Sequence, residues 1–163
     1  MEKENSDIIQ MRNRLEERLI SAEITEIEWE RIICHLTVQV SYSKQFQPGL
    51  PLDFYLITPY GKANAKFQAE EKGSGTYLLS MNVSNPGYVM CLPTGVYTLY
   101  ICQGNDILCE PQMSIELVPF LADKSRTFLH HSKNKGYSID FSVTEDSDIL
   151  GAVITAQEMT RAA

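Results

Sequence analysis

Apolar side chains recur at every second position through the middle of the chain. Tyr77, Leu79, Met81 and Val83 make one set, Tyr97, Leu99 and Ile101 a second, and Met113, Ile115 and Leu117 a third. Asn85-Pro86-Gly87 and Gly104-Asn105-Asp106 punctuate them. Short period-two runs broken by turn residues predict strands with one buried face. The same pattern runs upstream. Ile24 to Trp29 reads as a short strand with Ile27 and Trp29 inward and Ile24 on the opposite face. Cys34, Leu36, Val38 and Val40 then form an inward set against His35, Thr37 and Gln39. After a turn over 43–49 come Leu50, Leu52, Phe54 and Leu56, and after Pro59-Tyr60-Gly61 a weaker strand over 63–70 around Ala65 and Phe67. Its polar residues suggest a sheet edge.

Further runs are predicted at 88–92, at Ile107-Leu108 and at 112–118, followed by a loop over 120–126. A last pair, 127–131 and 137–143, is joined by Ser132-Lys-Asn-Lys-Gly136, with Tyr137, Ile139, Phe141 and Val143 inward. Only the ends depart from period two. From Ser6 to Ala22, the residues Ile8, Met11, Leu15 and Leu19 fall at helical spacing on one face, with Asn5, Ser6 and Asp7 as capping side chains. So short a helix must dock on something. It would pack over the sheet, end a neighbouring domain or form the seam of a homodimer. Residues 147–163 have helical composition with little periodicity and suggest a short helix or a fraying tail.

No helical pattern separates the strands, which favours an antiparallel sandwich over a parallel α/β fold. The expectation is all-β: an antiparallel β-sandwich of seven to nine strands over 23–146, with an N-terminal α-helix over 1–22 and a C-terminal tail over 147–163. A chain of 163 residues suffices for one such domain.

Charge narrows the partners. Fourteen Lys and Arg stand against 21 Asp and Glu, a net charge of -7. That opposes phosphate-backbone binding, and Lys124, Arg126, Lys133 and Lys135 read as a solvated stretch, so no nucleic acid is expected. The acidic start has no apolar stretch behind it, and no run is long enough to span a membrane. The expected setting is cytoplasmic, any membrane association running through a partner. Cys34, Cys91, Cys102 and Cys109 lack CxxC spacing and read as buried thiols, with a Cys102–Cys109 bridge conceivable in an exported chain.

Candidate chemistry is sparse. His35, His130 and His131 with Cys34 and Cys91 match no metal-ligand spacing, and Cys34 and His35 alternate across a strand, so no metal or other cofactor is expected. There is no G-x-S-x-G and no glycine-rich phosphate loop. An enzyme on this scaffold would need a cleft gathering Asp140, Glu145 or His130. The tyrosines offer more. Tyr42, Tyr55, Tyr60 and Tyr88, with Tyr100, alternate out of phase with the apolar face or sit at turns, where rings can stack on sugars or anchor a protein.

The order of Ile24-Thr-Glu-Ile-Glu-Trp-Glu30, His35-Leu-Thr37, Gly95-Val-Tyr-Thr-Leu-Tyr-Ile101 and the basic turn leading into the alternating strand of 127–143 carries a likeness. The chain resembles, over residues 24–145, the immunoglobulin-like sandwich domains attached to bacterial glycosyltransferases and glycerophosphotransferases that build teichoic acid and other surface polymers. In that family the chemistry belongs to a separate domain, so the resemblance carries over no catalytic residue. It implies a non-catalytic accessory module of a surface-polymer-synthesising system, contacting a protein partner, a second copy or a glycan. The alternative is a free-standing carbohydrate-binding or adaptor protein with a tyrosine-lined face.

Overall fold

The computed structural model describes residues 19–42, 51–58, 64–83, 94–104, 106–130, 135–144 and 151–159. The strands are β1 (Leu19–Glu30), β2 (Ile33–Tyr42), β3 (Asp53–Ile57), β4 (Asn64–Lys66), β5 (Gln68–Gly73), β6 (Thr76–Asn82), β7 (Gly95–Gln103), β8 (Asp106–Cys109), β9 (Gln112–Met113), β10 (Arg126–His130), β11 (Lys135–Val143) and β12 (Ala152–Met159). A 3-10 helix spans Val118–Lys124. One sheet has the order β5-β6-β2-β1-β9; the other runs β10-β11-β12-β7-β3-β4, with β8 pairing β7 to the side. Among the described residues every pairing is antiparallel except β1 with β9, so the five-stranded sheet is mixed and the other is wholly antiparallel. One apolar core draws on both.

The inward sets of β2, β3, β6, β7 and β11 follow the sequence pattern, and Leu36, Phe54, Leu79, Tyr97 and Ile101 are fully buried. β1 departs from it. Ile24 faces Val38 while Glu26 faces Thr37, so Thr25 is an extra residue in the ladder. The bulge shifts the phase by one, and Ala22 and Ile24 before it join Ile27 after it in the core. Simple alternation, which sets Ile24 against Ile27, fails for that reason.

Both ends of the chain correct the sequence reading. Residues 19–22 extend β1 rather than end a helix: Leu19 pairs with Tyr42 and Ala22 with Val40. The backbone of the long β2 supplies partners along this stretch, and ladder pairing there overrides local helix propensity. Ile8, Met11 and Leu15 lie outside the described residues. At the other end, 152–159 is a central strand between β11 and β7, not a tail. Ala152, Ile154 and Ala156 are buried while Val153 and Thr155 are half-buried; two of the three inward side chains are alanines and Val153 is apolar on the outer face, so the alternation is weak in the sequence. The described residues hold twelve strands against the expected seven to nine, partly through β12 and partly because the edge strand expected over 63–70 is two strands in different sheets.

The run at 112–118 is a strand only at Gln112–Met113. Ser114 then accepts from the N–H groups of Leu117 and Val118 at 3.0 and 3.1 Å, which turns the chain into the 3-10 helix. Ile115 is left 75% exposed rather than inward, and Pro119, which needs no hydrogen-bond partner for its nitrogen, sits in the first turn. Trp29 holds this helix down. Its Nε1 donates to the Lys124 carbonyl at 2.7 Å, and its ring lies 6.3 Å from that of Phe141 in the opposite sheet.

Three of the four cysteines lie among the described residues. Cys34 belongs to the core and Cys109 packs against it, and burial pushes each thiol from about 9 up to about 12, with Glu110 adding to the shift at Cys109. Cys102 faces Ile107 while Cys109 faces Ile101 across an irregular register, and both are free.

Two expectations follow. Ending the chain after Thr144 removes β12 and leaves β7 and β11 without their common neighbour, so urea unfolding should lose its cooperative transition. Ile154→Ala should cost about 2–5 kcal/mol by the same measurement; an unchanged midpoint in the truncated chain would contradict the pairing. Secondly, Cys34 and Cys109 should react with an aromatic disulfide at pH 8 at least about tenfold more slowly in the native than in the denatured chain. Their folded-state values are raised, so the stability tied to them is intact below pH 9 and falls as pH climbs from about 9 towards about 12.

Candidate functional site

Inward alternation leaves every second residue of each strand facing outward, and the chemistry collects where the chain changes sheets. β4 ends at Lys66 and β5 begins at Gln68. Between them Phe67 is buried and donates its N–H to the Phe54 carbonyl at 2.9 Å, anchoring the crossing to β3. Lys66 is turned out. Its Nζ lies 3.1 Å from Asp53 Oδ1 and 5.9 Å from the centre of the Tyr55 ring. The Asp53 carboxylate, by hydrogen bond and charge, raises the Lys66 ammonium above its ordinary value. Tyr55 sits directly opposite Tyr100 on β7 and Lys66 on β4, so the two rings and the ammonium form one row across the outer face. Burial first, then Glu110, raises the Tyr100 hydroxyl. Beside this row an open cleft of about 480 Å³ runs between Pro51–Asp53 and Lys66–Ala69. It offers a carboxylate acceptor, an ammonium donor and the Gln68 amide over apolar walls.

A second polar cluster occupies the outer face of the other sheet. Gln68, Ser80, His35 and Glu28 fall in register across β5, β6, β2 and β1. His35 Nδ1 lies 2.8 Å from Ser80 Oγ, and its Nε2 lies 3.3 Å from Glu30 Oε2. A hydroxyl beside an imidazole beside a carboxylate is the order used for nucleophile activation. Here Ser80 lies in the middle of a strand paired on both sides, so the neighbouring backbone N–H groups serve the ladder and cannot form an oxyanion hole. The Glu30 side chain is 75% exposed, and exposed charge pairs contribute little. The cluster orients the His35 ring on an acidic face that also carries Glu23, Glu26 and Glu28. No sequence motif marks it, because His35 and Ser80 meet only through the β2–β6 register.

The expected tyrosines do not form one face. Tyr55 belongs to the row above. Tyr42 is in the other sheet, its hydroxyl 2.6 Å from that of Tyr77; burial, then Tyr77 and Glu71, push it well above the ordinary phenol range. Tyr60 and Tyr88 lie outside the described residues, as do Cys91, His131 and Glu145. His130 ends β10, Asp140 accepts from Ser138 Oγ at 3.0 Å, and Cys34 faces inward while His35 faces out.

No model of a protein family matches the sequence, and comparison with curated proteins finds no match either. Solved structures do match in fold. The chain is similar to S. aureus TarS residues 217–571, with a TM-score of 0.65 at 11% identity over 86% of this chain and 39% of that one. Against a longer S. aureus TarS structure the TM-score is 0.63 at 10% identity, over 86% of this chain and 25% of that one. The chain therefore spans well under half the length of the structures it matches, and the likeness drawn from its strand motifs holds at the level of the fold.

Proposed function

We propose that the chain is a non-catalytic accessory module, an immunoglobulin-like sandwich serving a bacterial surface-polymer-synthesising system through glycan or protein contacts. The observation that carries this reading is the fold likeness, over most of the chain, to part of TarS, a teichoic acid glycosyltransferase. The cleft beside Tyr55 supplies the contact chemistry. Asp53 accepts hydrogen bonds, Lys66 donates them or meets a phosphodiester, and Tyr55 with Tyr100 offers a ring surface. With a net charge of -7, the body of the protein repels a polyanion, so an anionic polymer must be held locally at Lys66. Among the described residues no helix is long and apolar enough to cross a membrane. The alternative, a free-standing carbohydrate-binding protein, is favoured by the same Tyr55–Tyr100 pairing and differs in needing no transferase partner.

Titration with a polyol-phosphate polymer and with neutral glycans separates the readings. An accessory module should bind the polymer, and Tyr55→Ala and Lys66→Ala should each weaken binding about three- to tenfold. A neutral-glycan preference that Lys66→Ala leaves unchanged points to the alternative. Equal binding by wild type and both variants, or sugar transfer from a nucleotide donor by the purified chain alone, defeats the proposal.

A further inference from the structure

Every residue of β5 is exposed from Gln68 to Gly73. It ends its sheet among the described residues, pairing with β6. A strand edge carries N–H and C=O groups ready to pair with another extended chain. This edge is held in place from both ends. Phe67, just before it, is bonded to β3, and past the hairpin the Gly75 carbonyl accepts from Val40 N–H at 2.7 Å. Gly75 has φ +80, and a Cβ there would meet the Val40 carbonyl oxygen, so glycine is what lets the hairpin sit this close to β2.

Two depressions flank the first half of β5. The cleft of about 480 Å³ opens between the sheets at Pro51–Asp53, and one of about 200 Å³ lies on the outer face beside Leu78 and Ser80. Gln68 and Ala69 border both. Successive side chains of an added strand point to opposite faces, so neighbouring residues of an incoming segment would reach one depression each. The second half of β5 is charged. Glu70 and Glu71 stand against Lys72, whose Nζ is 3.0 Å from Glu70 Oε1. Cross-strand neighbours of like charge repel and those of opposite charge attract. Two carboxylates against one ammonium, on a chain of net charge -7, disfavour an acidic strand or a second copy and suit a cationic one.

We propose that β5 is a docking edge that takes an extended lysine- or arginine-bearing segment of a partner protein as a sixth strand of its sheet. This rests on the interaction-module reading and gives the partner's chemistry, yet it does not use the Tyr55 ring, so the polymer titration and the test below fail independently.

The test uses the full chain, isotope-labelled for amide hydrogen exchange, with a short fluorescent peptide of alternating lysine and valine and a glutamate–valine peptide of equal length. The lysine peptide should bind and slow exchange of β5 amides, and the glutamate peptide should do neither. The double variant E70K/E71K, with both sites exposed, should lose about tenfold in affinity for the lysine peptide and gain for the glutamate one. Exchange data on the wild type decide the matter alone if that variant misfolds. Absent binding, binding without β5 protection, or affinity indifferent to the charge reversal overturns the proposal. So does concentration-dependent β5 protection without peptide, which would make a second copy the occupant.

Discussion

Between the two sheets lies a single layer of side chains from which water is shut out, and neither sheet can bury its own half of that layer without the other. Phe54 and Tyr77 meet across it with ring centroids 5.3 Å apart, and Trp29 and Phe141 do the same nearer one end. Burial of apolar surface is worth roughly 25 cal/mol per Å², so this layer dominates the favourable side of folding. Several local choices serve it. The extra residue at Thr25 swings Ala22 and Ile24 to the same side as Ile27, and Phe67 is buried although Lys66 and Gln68 on either side are exposed.

Chemistry is displaced outward as a result. Core positions take Cys34 and the ring of Tyr97, and Cys109 packs against them; burial suppresses the ionisation of all three. The groups left able to exchange hydrogen bonds with a ligand are on outer faces and at the sheet crossing, where Asp53, Lys66 and Gln68 border one cleft. Outer strand faces supply flat arrays rather than enclosed, dry cavities. The Ser80–His35–Glu30 cluster lies on such a face, with contacts of 2.8 and 3.3 Å.

Much of the fold was legible before any coordinates. Alternation in β2, β3, β6 and β7 names inward residues correctly because each of these strands has one face in the core and one half-wet. It misleads elsewhere. β12 buries two alanines and one isoleucine with Val153 on the outer face, a contrast too weak to read as alternation. β1 changes phase at a bulge, and Ile115 follows the pattern yet ends exposed because Ser114 turns the chain. The candidate site was half legible: Tyr55 stood out of phase with its strand, whereas Lys66, Asp53 and Gln68 are ordinary surface residues until β3, β4 and β5 bring them to one cleft.

The amino-acid order by itself determined that the chain is built of strands with apolar inner faces, that it carries a net charge of -7, and that no familiar catalytic motif is spelled out along it. These properties are local, set by side-chain period and composition within a few residues. Tertiary structure alone decided which strands became neighbours, that residues 19–22 and 152–159 are strands, and that Lys66 pairs with Asp53 while His35 meets Ser80. Those outcomes depend on hydrogen-bond partners far away in the chain, and a backbone segment takes the conformation in which such partners and the common core are both satisfied.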